Sequence, residues 1–305
     1  MTRIFVILNA GSGNGCEPAL AQHVHALFES AGIPAEVALA RGGDAIAAKI
    51  AHAIAQNAEI IVAGGGDGTV SMIAAALVGR DIALGVLPLG TLNHFAKDLQ
   101  IPLALDAAVS QIAAGTLQRV DVGEVNGRIF VNNSSLGMYP DIVHARDLQQ
   151  RRFGWSKWLA FLWATIAALR RYPFLSVCLS VDGLQHQRRT PFVFIGNNEY
   201  RIEGLTLGGR DRLTAGRLSL YSAQRPGRMR LVQFGLRALA GNLQQARDFD
   251  VLAATEIVVE SRHRHLRVAT DGEVTVMQPP LHYRIRPASL TVLAAALPGQ
   301  QAPMD

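Results

Sequence analysis

The sequence predicts an α/β domain with a doubly wound parallel sheet in its first part and a mainly antiparallel β-sandwich after it, and three features predict this. Up to residue 125, short apolar runs alternate with Ala-rich stretches of helical spacing, the rhythm of a parallel sheet with helices on both faces. Beyond it, β-like runs bounded by turn residues dominate. Three of the early runs end in loops of small residues, as strand ends do where a doubly wound sheet forms its ligand crevice.

IFVIL at 4–8 reads as the first strand, Pro18 to Ala31 as a helix, and Asp44 to Gln56 as a second helix. IIVA at 60–63 is the next strand, Val70 to Val78 a helix, ALGVL at 83–87 a strand and Asp106 to Ala114 a helix. Asn126-Gly127 then supplies the two residue types that accept positive φ in a two-residue hairpin. Strand patterns recur in FLSVCLSV, PFVFIG, GRLSLY, EIVVE, LRVA, LHYRIR and SLTVL, and helical spacing returns at Trp155 to Arg171 and Met229 to Ala240. The expected division is 1–125, 126–298 and a frayed tail at 299–305, with the last strand free to return to the first domain.

With 305 residues, 49% of them hydrophobic and 17% charged, the chain is long and apolar enough to bury two cores, which excludes a disordered protein. Its two cysteines, Cys16 and Cys178, form no CxxC pair and no Cys/His cluster, so neither a disulfide framework nor a structural zinc site is expected, and a reducing compartment is. The apolar run Ile4 to Leu8 is too short for the core of a secretory signal. Charge is uneven: residues 1–125 hold 6 Lys/Arg against 11 Asp/Glu, whereas residues 126–305 hold 23 against 13. The basic second part suits an anionic surface, or simply a solvated face with scattered cations.

The three small-residue loops are ILNAGSGNG at 7–15, VAGGGDGT at 62–69 and VLPLGTLN at 86–93. Glycines let backbone N–H groups approach an anion closely, and a helix starting near Thr69 adds the positive end of its dipole, so phosphate is the expected ligand. A Walker loop needs Gly-Lys-Ser/Thr after its glycines and GGGDGTV has none; GSGNGC lacks the GxGxxG spacing. Asp67 stands where a bare carboxylate would repel phosphate. That placement makes sense if it acts on Mg²⁺, on a metal-bound water or on an attacking hydroxyl; capping the following helix is the structural alternative.

GGGDGT at 64–69, LPLGTLNHFAKDLQIP at 87–102, FVNNSSLGMYP at 130–140 and TDGEV at 270–274 resemble, in order and spacing, the motifs of the diacylglycerol kinase catalytic-domain family, which includes bacterial lipid kinases and sphingosine kinases. GGDGT is shared with NAD kinases and 6-phosphofructokinases, so the resemblance implies a first domain of that type; the LGTxNxFA and late DGE elements favour lipid kinases. It implies an ATP- and Mg²⁺-dependent lipid kinase. Asn9, Ala10, Gly11, Ser12 and Gly13 would lie near the phosphates, Gly65, Gly66, Asp67, Gly68 and Thr69 around the triphosphate, and Thr91 and Asn93 would complete the pocket. Glu273 corresponds to the family's proton acceptor, with Asp271 beside it and Asp67 as a further catalytic carboxylate. Read alone, Asp271-Gly272 is a hairpin turn. The implied partner is a lipid at a membrane surface, met by a cytoplasmic, peripheral enzyme that takes no nucleic acid; a homodimer stays open.

The chain departs from the family at several positions. Ser71 and Met72 replace Asn and Glu, His94 replaces Asp, and Leu213-Thr214-Ala215-Gly216-Arg217 stands where an Asp-Asp-Gly turn holds a structural Mg²⁺, so no ion is expected at that turn. The stretch 151–172 carries all three tryptophans around a 12-residue apolar run, Trp158 to Leu169, short of the roughly 20 residues that span a bilayer. With Arg151, Arg152, Lys157, Arg170 and Arg171 about it, the stretch suits a membrane headgroup boundary or a buried helix with solvated ends. Two other functions stay open: a soluble-substrate kinase of the NAD kinase or phosphofructokinase type, and a nucleotide-binding regulatory protein with weak or no catalysis.

Overall fold

The computed structural model describes residues 2–11, 18–137, 175–203, 206–210, 212–223 and 249–295. The expected helices at 155–171 and 229–240 lie outside them, as do Ser12 and Gly13. The chain forms two compact units, Met1–Val120 with Ala288–Asp305, and Asp121–Pro287.

In chain order the first unit contains β1 (Ile4–Asn9), α1 (Pro18–Ser30), β2 (Ala35–Ala40), α2 (Gly43–Ala55), β3 (Ile60–Gly65), α3 (Asp67–Leu77), β4 (Ala83–Pro88), α4 (His94–Asp98) and α5 (Leu105–Ala114). Strand β5 (Thr116–Val125) leads into the second unit and is followed by β6 (Arg128–Phe130), β7 (Asn133–Gly137), β8 (Leu175–Val181), β9 (Leu184–Thr190), β10 (Phe192–Asn197), β11 (Tyr200–Glu203) and β12 (Thr206–Arg210). Then come β13 (Leu218–Ala223), β14 (Phe249–Ala254), β15 (Glu256–Ser261), β16 (Leu266–Thr270) and β17 (Glu273–Met277), and β18 (Leu281–Ala294) returns to the first unit.

In the first unit β2, β1, β3 and β4 lie parallel in that order, and the end of β18 joins β4 through Val292 opposite Leu84. Both faces are covered: α1 packs with α5, and α2 with α3. That is why Val6, Leu8, Ile61, Val62, Leu84 and Leu87 are all buried, successive residues included. Strand β2, absent from the expected elements, is AEVALA, whose alanines give little β signal. The register places Leu8 opposite Gly64, and Gly65 opposite Pro88, so β1, β3 and β4 end at one level.

Among its described residues the second unit holds two larger antiparallel sheets and the two-stranded pair β11-β12. One runs β14-β13-β10-β7-β16-β17; in the other, β8 lies between β9 and β15, and β15 pairs with β18. Val177, Leu179, Ile257 and Val259 from one sheet share a core with Val193, Ile195, Leu218, Leu220 and Val268 from the other, which makes the unit a sandwich. The hairpin pair has the expected geometry, φ 46° at Asn126 and 85° at Gly127. Among the described residues no helix is long and apolar enough to cross a membrane.

Candidate functional site

Three loops leave the carboxyl ends of β1, β3 and β4, and side chains tie them together. Asn9 Nδ2 donates to Thr69 Oγ1 at 2.8 Å, while Asn9 Oδ1 accepts from Gly11 N–H at 2.9 Å. Thr69, buried in the first turn of α3, therefore locks the end of β1 to the glycine loop. A Cβ on Gly90 would stand 2.4 Å from Gly66 Cα, so the two loops touch main chain to main chain. Asn93 braces this contact: its Oδ1 accepts from Gly90 N–H at 3.0 Å and its Nδ2 donates to Gly90 O at 2.8 Å and Pro88 O at 3.2 Å. Asn93 holds φ 52°, a left-handed conformation that asparagine tolerates, and it is the N-cap of α4.

Asp67 opens α3, ahead of the expected start at Thr69 or Val70; Gly66 is the N-cap and has no side chain to spend on capping. The Asp67 carboxylate is not used on its own helix. Its Oδ1 meets Phe95 N–H of α4 at the long distance of 3.4 Å. Gly68 is half-buried, Ala10 N–H bonds to Ala40 O at 2.8 Å, and Thr91 stands exposed on the loop before Asn93. The first N–H groups of a helix have no intrahelical acceptor, so the start of α3 beside Gly66, with Asn9, Thr69 and Asn93 fixed around it, is suited to an anion. Of the departures, Met72 packs against the start of α2, its Cε 3.4 Å from where a Cβ on Gly43 would lie, and His94 is exposed at the start of α4.

The second unit carries the other sequence-predicted carboxylates on the β16–β17 hairpin. Asp271 Oδ2 accepts from Val131 N–H at 2.8 Å, and its Oδ1 accepts from Asn132 and Asn133 N–H at 2.8 and 3.0 Å. Asp271, expected beside Glu273 as a catalytic carboxylate, accepts from main-chain donors with both oxygens and so clamps the Val131–Asn133 corner. Its φ of 48° and the 88° of Gly272 form the turn. Glu273 begins β17 exposed, with Oε2 taking a 2.6 Å bond from Arg128 Nη2. Neither Arg128 nor the Val131–Asn133 amides figured among the expected site residues; the motif FVNNSSLGMYP at 130–140, which contains Val131–Asn133, was the available hint.

The turn that lacks the family's two aspartates is fastened by other groups. Gly216 N–H donates to Asp121 Oδ2 at 2.7 Å, Ala215 N–H to Asn198 Oδ1 at 3.0 Å, and Asp121 N–H to Leu213 O at 2.8 Å. Among the described residues no three His, Cys, Asp or Glu side chains gather as a metal cluster. Beside the Val131–Asn133 corner, Ser134 Oγ meets the buried Tyr283 hydroxyl at 3.1 Å, and burial raises the pKa of that phenol.

Comparison with known proteins gives the family and the fold. Residues 3–125 match the diacylglycerol kinase catalytic domain and residues 141–294 the YegS C-terminal NAD kinase beta sandwich-like domain. The diacylglycerol kinase of Staphylococcus saprophyticus is 34% identical over 62 residues, 20% of each chain. A YegS-like lipid kinase of Citrobacter koseri is 41% identical over 69 residues, 21% of this chain and 23% of that one. These alignments span about a fifth of the relatives' length. A crystal structure from Bacillus anthracis superposes over 96% of this chain and 97% of its own with a TM-score of 0.76 at 20% identity. A diacylglycerol kinase from the same organism gives 0.69 at 18% identity, over 96% of both chains. At such identity the likeness speaks for the fold. With one family model over half of the chain and the other over most of the remainder, the chain belongs to the diacylglycerol kinase catalytic-domain family of lipid kinases.

Proposed function

We propose that the protein is an ATP-dependent kinase that moves the γ-phosphoryl group to a hydroxyl of a diacylglycerol-like or sphingoid-like lipid at a membrane surface. The observation that carries this reading is the joining of three strand-end loops by Asn9, Thr69, Gly66, Gly90 and Asn93. These loops fit a triphosphate: the main chain is bare where Gly66 meets Gly90, and α3 begins there. Asp67 fits a Mg²⁺ carried by the nucleotide, because Phe95 N–H at 3.4 Å is its one recorded partner among the described residues and leaves Oδ2 open. When bound, the ion would neutralise charge on the transferring group.

The chain's own groups divide the remaining work. Asn9 and Asn93 hold the loops so that backbone amides are aimed before the nucleotide arrives, which avoids reorganisation during the reaction. Glu273 accepts the proton of the lipid hydroxyl; Arg128 holds one of its oxygens and so orients the other. The test is mass spectrometry of lipid extracts incubated with the protein, ATP and Mg²⁺. Lipids that gain one phosphate support the reading. Phosphate gained by NAD or a sugar phosphate, with the lipid pool unchanged, rejects it.

A further inference from the structure

Arg210 is a buried cation for which the phosphoryl-transfer reading has no use. It ends β12 at 6% exposure, so burial would be costly without full hydrogen bonding. Its Nη1 donates to Val131 O at 2.6 Å and Asn197 O at 3.0 Å, its Nη2 donates to Asn132 Oδ1 at 3.0 Å, and its guanidinium carbon lies 5.3 Å from the centre of the Tyr200 ring. Val131 and Asn132 are thus gripped from two sides. Their N–H groups go to the Asp271 carboxylate, and the Val131 carbonyl and the Asn132 side-chain oxygen go to the Arg210 guanidinium. Each charge meets the end of the amide dipole that suits it, and both have fixed directions.

Asp271 lies two residues before Glu273, in a turn whose shape depends on where the Val131–Asn133 corner stands. We propose that Arg210 is a positioning residue for the reaction: by fixing that corner it fixes Asp271, and through Asp271 the place of Glu273. The proposal rests on Glu273 being the proton acceptor. Arg210 itself touches no reacting atom in this scheme.

The test compares Arg210→Met and Arg210→Lys with the wild type. Lysine keeps the charge but has one nitrogen where three acceptors are spread over the two nitrogens of a planar fork. Lipid kinase assays should give a kcat lowered about 10- to 10²-fold in both variants, the range expected when a catalytic group is displaced by a fraction of an ångström to 1 Å. The KM for ATP should stay within about twofold, because the nucleotide loops are untouched. Amide hydrogen exchange should quicken at Val131–Asn133 and along Glu273–Met277 while β13 and β14 keep their protection. Unchanged kcat overturns the proposal, and so does exchange that quickens evenly through the second unit. Loss of folding in both variants also overturns it, assigning Arg210 to stability alone. A wild type that phosphorylates no lipid removes the functional reading instead; the exchange pattern then still decides whether Arg210 holds the hairpin, and its absence overturns that link.

Discussion

Asn9 and Thr69, 60 residues apart, are joined by a 2.8 Å hydrogen bond from Nδ2 to Oγ1, and this bond fastens the end of β1 to the first turn of α3. Asn9→Ala removes it and also removes the acceptor for Gly11 N–H. With part of the net worth of these two hydrogen bonds lost from nucleotide binding, the KM for ATP should rise about 3- to 10-fold, with kcat less affected. Steady-state kinetics at saturating lipid checks this.

At Gly90 two loops meet main chain to main chain. Alanine there must push against Gly66 Cα at 2.4 Å, backbone that cannot swing aside, so Gly90→Ala should destabilise by about 1–3 kcal/mol and weaken nucleotide binding. Gly43→Ala is the control: its Cβ would meet only the end of Met72 at 3.4 Å and should be close to neutral. Thermal melts with and without ATP separate the two.

Asp67→Asn should lower turnover and raise the Mg²⁺ concentration needed for half-maximal rate, since the ion then depends more on phosphate oxygens. A Mg²⁺ titration of initial rates reads this out. Equal rates and equal Mg²⁺ dependence would return Asp67 to a purely structural place at the head of α3.

Much of this was legible in the sequence because the strongest signals are local. Uninterrupted apolar runs such as Ile4 to Leu8 are what a strand buried on both faces needs, and Gly64-Gly65-Gly66 reports a main chain closely approached, here by Leu8, Thr69 and Gly90. Strand β9, LQHQRRT, escaped because it ends its sheet and has no apolar alternation to display. Strand β17 was hidden for a similar reason, with a burial pattern that is mostly partial. The role of Asp271 could not be read from TDGEV, since its three donors lie near residue 132, far along the chain. Arg210 was invisible for the same reason: its partners come from β6, β7 and β10 surroundings that only folding brings together.

Asp182 supplies a pH-dependent contribution to stability in the second unit. Its Oδ1 accepts from Thr255 N–H at 2.9 Å, Thr255 Oγ1 at 2.9 Å and Glu256 N–H at 3.1 Å, and the Glu256 bond chiefly lowers its pKa below the usual 3.8. A depressed carboxylate stabilises the fold above its unfolded pKa and loses that contribution as pH falls through the lower, folded value. Asp182→Asn keeps the left-handed turn at φ 45° while removing the charge. Because the group is exposed, its Tm at pH 7 should fall by only about 1–2 °C. The difference from wild type should shrink as the pH drops below 3.8.

The account stands most directly on radiolabel transfer from γ-labelled ATP into the organic phase of a lipid extract, measured for the wild type and Glu273→Gln side by side. Wild-type protein should label lipid. Glu273→Gln, which keeps the shape of the side chain and removes the base, should bind nucleotide normally and label lipid about 10²- to 10⁴-fold more slowly. Label that stays in the aqueous phase with the wild type, or full lipid labelling by Glu273→Gln, would contradict it.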